Sequence, residues 1–169
     1  GRAGVRRAAG ADGANAMIDA HMHFWRLDRG DYDWPTPDLT PLYRDVLPDD
    51  AAPLIRAGGV TRAIAVQAAA TEAETRFLFE LARAPPWIEG VGGWTDLAAA
   101  DVAERIAALV RDGGGYLKGL RPMLQDMAQR DWIAAPALDA ALEAMVAHDL
   151  SFDALVRVDQ LDALAARAE

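Results

Sequence analysis

The sequence predicts an α/β fold with a parallel sheet. Short β-branched or apolar runs alternate with segments of helical spacing, and glycine or proline punctuates the junctions. About five such β/α units fit into 169 residues. Two architectures suit this alternation, a doubly wound sheet and a (β/α)8 barrel. No Gly-x-Gly-x-x-Gly follows the first strand, which counts against a dinucleotide-binding sheet. A barrel needs roughly 250 residues, so this chain would supply only part of one.

The elements follow in order. Gly1 to Ala16 is Gly-, Ala- and Arg-rich without periodicity and reads as a disordered leader or upstream translation, with Met17 as a natural start. Residues 17–169 form the folded part. Met17–Phe24 reads as strand one, and Asp28–Pro53 as a long functional loop rich in Asp, Pro and aromatics, overlapping a short helix at Ala51–Ala57. Strand two spans Thr61–Ala68. The helix Thr71–Ala84 has Thr71 as cap and Glu74 three residues on, with Phe77, Leu78 and Leu81 as its apolar stripe. Strand three is Ile88–Trp94, and an amphipathic helix covers Asp101–Arg111. Strand four is Tyr116–Leu124, a helix spans Pro136–His148, strand five is Leu150–Val158, and a last helix starts at Asp159.

Composition narrows the function. The chain is 52% hydrophobic with a net charge of −9. An acidic surface repels phosphate backbones, so nucleic acid is not expected as a partner. No apolar stretch is long enough to span a bilayer. The absence of cysteine removes disulfides, thiolate zinc sites and a cysteine nucleophile, and fits a reducing, cytoplasmic setting.

The chemistry-bearing residues lie at strand ends. His21 and His23 are two apart, so strand geometry puts both on one face, with Asp19 below them and Ile18, Ala20, Met22 and Phe24 opposite. Two imidazoles at the C-terminal end of a barrel strand could hold a divalent metal, or hydrogen-bond in a polar core. On strand four, parity groups Gly119 with Arg121 and puts Lys118 and Leu120 on the other face. Gly119 would leave space beneath an inward Arg121, whose planar guanidinium suits a carboxylate or lactone carbonyl. An ion pair with Asp153 is the structural alternative. Gln67 and Trp94 end strands two and three. They are candidate substrate-binding residues, for hydroxyls and for ring stacking, or else packing residues. Trp25, Tyr32 and Trp34 lie where the first loop could cover a pocket.

These residues carry a resemblance. Asp19-Ala20-His21-Met22-His23, the loop Gly30-Asp31-Tyr32-Asp33-Trp34, Gly92-Gly93-Trp94-Thr95-Asp96-Leu97, and Gly119-Leu120-Arg121-Pro122-Met123-Leu124-Gln125-Asp126 together resemble the amidohydrolase superfamily. The branch they resemble is that of the sugar-lactone hydrolases, often called amidohydrolase 2 proteins, and the likeness runs from Met17 to the last residue.

The resemblance implies a (β/α)8 TIM barrel, of which this chain holds the first five units or so. It implies hydrolysis of a cyclic ester by water attack, with His21 and His23 as catalytic and metal-binding residues. A divalent metal such as zinc is implied conditionally, since some relatives need none. The implied partner is a small-molecule lactone, and a homo-oligomer is compatible. The family's further histidines and its acid/base aspartate lie on strands six to eight. The one other histidine here, His148, falls at a helix C-terminus, where the helix dipole suits it. Some superfamily members use a carbamylated lysine on strand four, but parity turns Lys118 away from that role. Two alternatives remain: a non-catalytic half-barrel that associates with another chain, and a decarboxylase-like relative using the same histidines.

Overall fold

A computed structural model describes residues 17–168, so the expected leader lies outside the described residues. Five parallel strands pair in sequential order, β1 Met17–Met22, β2 Val60–Val66, β3 Ile88–Gly93, β4 Leu117–Leu120 and β5 Ser151–Phe152. Helices α1 Pro48–Ala57, α2 Glu72–Arg83, α3 Val102–Gly113, α4 Asp139–Ala147 and α5 Leu161–Ala168 lie between and after them. The result is a curled half-barrel, the first five units of a (β/α)8 design.

The core fills the layer between sheet and helices. Phe24, Leu78, Ile106 and Leu109 are fully buried there, with Phe79 and Leu120 at 1% exposure. Helix α2 begins as its sequence dictates, since the Thr71 hydroxyl accepts the Glu74 backbone N–H at 3.0 Å. Its close approach to β3 needs Gly93, because a Cβ there would stand 2.5 Å from Thr75 Cγ2. The Thr75 hydroxyl then accepts Trp94 N–H at 2.8 Å and so fixes the end of β3.

Three expectations are corrected. Strands four and five are shorter than their apolar runs. Pro122 has no N–H to donate, so β4 stops at Leu120 and Leu124–Asp126 turns as a 3-10 helix. Beyond Phe152 the chain leaves the ladder, and Leu155 accepts Gln125 N–H instead. The third correction concerns parity. A register shift between Asp19 and Met22 inserts an extra residue in β1. Ala20 therefore lines the inner face with Ile64, Val66 and Gly92, while Asp19 pairs with Ala63, a residue that is 0% exposed against the helices. A second shift, opposite Val91 and Gly92, acts on β4. It turns Lys118 inward beside Ile64, where its stem occupies the place of a Gly90 side chain: a Cβ there would meet Lys118 Cγ at 2.4 Å. Gly119 makes room for its neighbouring strand rather than for Arg121, since its Cβ would lie 2.6 Å from the Ser151 carbonyl oxygen.

Candidate active site

The C-terminal ends of β1, β2 and β4 bring His21, His23, Gln67 and Arg121 together. The bulge in β1 leaves the histidines facing each other, with Nε2 atoms 3.0 Å apart and rings nearly perpendicular at 81°. His23 Nδ1 lies 2.9 Å from the Val66 carbonyl. A carbonyl only accepts, so Nδ1 carries the hydrogen and the neutral ring keeps its lone pair on Nε2. Burial lowers the His23 pKa against the raising effect of the Val66 hydrogen bond, and the nearby Arg121 charge lowers it further, so the neutral form is favoured.

Arg121 is 4% exposed and is held from one side. Its Nη2 donates to the Gln67 carbonyl and, at 3.1 Å, to Gln67 Oε1. Gln67 Nε2 donates back to the Arg121 carbonyl at 2.9 Å. Nη1 reaches His21 Nε2 at 3.2 Å. Nε is buried without a partner. Burial lowers the guanidinium pKa while the negative charge of Asp153 works against that. Among the described residues no ion pair joins Arg121 to Asp153, which lines the inner face.

Hydrogen positions follow from these partners. A guanidinium only donates, so the Arg121 contact requires a lone pair on His21 Nε2. That nitrogen has one lone pair, so a divalent metal held by both Nε2 atoms would take the place of the Arg121 hydrogen bond. The 3.0 Å separation of the two Nε2 atoms is short enough for both to bind one small divalent ion. The Val66 carbonyl supplies the outer hydrogen bond that orients a metal-bound histidine. The pair thus fits a divalent metal as two of its ligands. Among the described residues no cluster of three or more His, Asp or Glu side chains completes a set.

The open space beside this group is a cleft of about 320 Å³ lined by His23, Trp34, Ala68, Arg121, Met123 and Leu155. Gln67 is fully buried with its amide spent on Arg121 and Met123 Sδ, so it supports the arginine instead of reaching the cleft. Trp94 is half-buried and does not line this cleft. Trp34, Met123 and Leu155 do. The Trp34 signal was its place in an aromatic-rich loop. Met123 and Leu155 resemble packing residues in the sequence and only the chain reversals after β4 and β5 expose them to the cleft.

An amidohydrolase family model matches residues 18–169. An L-fucono-1,5-lactonase of Burkholderia ambifaria is 46% identical over 151 residues, covering 89% of this chain and 51% of the relative. A Burkholderia multivorans amidohydrolase solved with bound HEPES superposes with a TM-score of 0.80 at 40% identity, covering 90% of this chain and 53% of that one. A second crystal form of an amidohydrolase from that organism, with bound zinc, gives 0.80 at 39% identity over the same shares. The chain spans about half the length of the curated relatives it matches. It belongs to the amidohydrolase family.

Proposed function

We propose that the whole protein hydrolyses a sugar lactone, L-fucono-1,5-lactone or a close analogue, in the cytoplasm. The observation that carries this is the convergence of the His21–His23 pair and the Arg121 guanidinium on one half-open cleft. The 46% identity to a lactonase supports the substrate class. Arg121 is the group that orients the lactone, because its Nη1 edge reaches the site while Nη2 is tied down by Gln67. A lactone ring resting against Trp34 would direct its carbonyl oxygen towards the Arg121 and histidine nitrogens, where negative charge develops as water adds.

His21 and His23 would hold a divalent metal, with zinc favoured by the zinc-bound relative, and such an ion supplies Lewis-acid polarisation of the carbonyl. The chain's own contribution is binding, orientation and a neutral histidine pair. Ring opening consumes one water and releases the hydroxy acid, and the Arg121 charge suits the carboxylate so formed.

The test is hydrolysis of a lactone panel by pH-stat. It is run on this chain and on a fusion to the part of the Burkholderia multivorans relative beyond the matched half. The expected result is turnover of L-fucono-1,5-lactone that falls with chelation and in His21→Ala. Carbon dioxide release from a carboxylated ring compound, without lactone turnover, would favour the decarboxylase-like alternative and overturn this one.

A further inference from the structure

A fully buried carboxylate that the reaction does not use sits behind the cleft. Glu74 on α2 is 0% exposed. Its Oε1 accepts Ala68 N–H at 3.0 Å, and its Oε2 accepts the Tyr32 hydroxyl at 2.6 Å. Arg29 approaches Oε2 at 3.4 Å and pairs with Asp31 at 2.6 Å, and Asp31 accepts the Thr71 hydroxyl at 2.8 Å. The Arg29 guanidinium also lies over the Phe77 ring at 4.5 Å. Arg29, Asp31 and Tyr32 all belong to the loop between β1 and α1, whereas Glu74, Thr71 and Phe77 belong to α2 and its cap. One buried side chain thus ties this loop to the outer layer of the barrel.

The same loop carries Trp34 to the cleft. The Trp34 indole N–H donates to the Ala68 carbonyl at 3.1 Å, so Ala68 receives Trp34 on its oxygen and Glu74 on its nitrogen. Trp25 packs edge-on against Trp34 at 4.9 Å. With its one donor spent, Trp34 can offer the cleft only apolar ring surface. Arg121 and His23 line the same cleft. A cleft with polar and aromatic lining suits a ring that offers oxygens to the one and C–H groups to the other.

We propose that Glu74 is a positioning residue. It docks the β1–α1 loop through Tyr32 and Ala68 and so sets Trp34 as the aromatic wall that selects the C–H face of the lactone ring. The proposal rests on the lactone reading, and its test has two separable arms. In the first, hydrogen exchange of the Trp34 indole N–H is followed by NMR in this chain. Glu74→Ala and the milder Tyr32→Phe should speed that exchange about tenfold or more, and Glu74→Gln, which still accepts from Ala68, should largely restore protection. In the second arm, Tyr32→Phe and Trp34→Ala should raise KM for L-fucono-1,5-lactone about tenfold with kcat changed far less, and Trp34→Phe should recover most of the loss.

Unchanged indole exchange in a folded Tyr32→Phe protein would overturn the docking role. A loss confined to kcat, or a normal KM in Trp34→Ala, would overturn the selecting wall. If the unaltered protein turns over no lactone, the functional reading fails, and the exchange arm still decides the role of Glu74.

Discussion

Gln67→Leu isolates what the glutamine does for Arg121. Gln67 is 0% exposed, so every polar atom lost must be replaced from within the protein. Leucine removes the acceptor of the Arg121 Nη2 bond and the donor to the Arg121 carbonyl, and leaves the Gln67 backbone carbonyl in place. A buried carbonyl without its donor costs about 1–3 kcal/mol, and a charge-assisted hydrogen bond is worth about 1.5–3 kcal/mol. Leucine recovers part of this through apolar burial, so a net loss of about 2–4 kcal/mol is expected. For a chain of this size that lowers Tm by roughly 5–15 °C. Urea and thermal unfolding measure it. The same reasoning predicts coupling with Arg121→Met of about 1–3 kcal/mol in a double-mutant cycle, since both changes break one ring of hydrogen bonds. A loss below about 0.5 kcal/mol, or additive effects, would refute the view that Gln67 exists to hold Arg121.

Three further outcomes are expected. Burial pushes the Glu74 carboxyl up, against the lowering effect of Tyr32, Ala68 N–H and Arg29. The folded state therefore holds a proton that the unfolded state has lost, between the ordinary carboxylate value and the raised one. Stability from this group falls as pH rises through that window. Glu74→Gln lacks that fall, so its stability relative to the parent should grow with pH and then level off. Urea titrations across acidic pH test this, and a relative stability that shrinks with rising pH would contradict it. Gly93→Val should destabilise by about 1–3 kcal/mol, because Thr75 Cγ2 lies 2.5 Å from the added Cβ position, and a Tm unchanged by the substitution would contradict that contact. Zinc binding followed by calorimetry should weaken in both His21→Ala and His23→Ala, and Val66, which acts through its carbonyl, should be insensitive to side-chain replacement by isoleucine.

Much of the fold was legible because each unit announces itself. The β-branched run at Thr61–Ala68 and the Thr71 cap became β2, Val60–Val66, and the start of α2. The overextended strands show the boundary of that reading. The apolar run from Leu150 signals burial, but beyond Phe152 it leaves the ladder and is at most half-buried, and Val158 is 85% exposed. Both bulges were illegible, since a bulge depends on the register of the neighbouring strand. Lys118 turns inward for that reason, and Asp19 leaves the histidine face for the same one.

The site divides in the same way. His21, His23 and Arg121 stand out as residue types at strand ends, and the structure brings them together. Gln67 was legible as a polar residue at a strand end, but its role depends on which carbonyl lies beside it. Glu74 had the spacing of a capping-box residue. Only half of that box forms, because its carboxylate turns to Tyr32 and Ala68, and no local pattern encodes a contact 42 residues away.

The most direct test of the proposed lactone site is kcat/KM for L-fucono-1,5-lactone in the whole protein and its Arg121→Ala variant. Thermal unfolding alongside the assay confirms that the variant is folded. If Arg121 orients the lactone beside the histidine pair, kcat/KM falls about 100-fold or more, as when a charge-stabilising donor is removed from an active site. A folded Arg121→Ala protein with kcat/KM within about threefold of the parent would contradict that assignment.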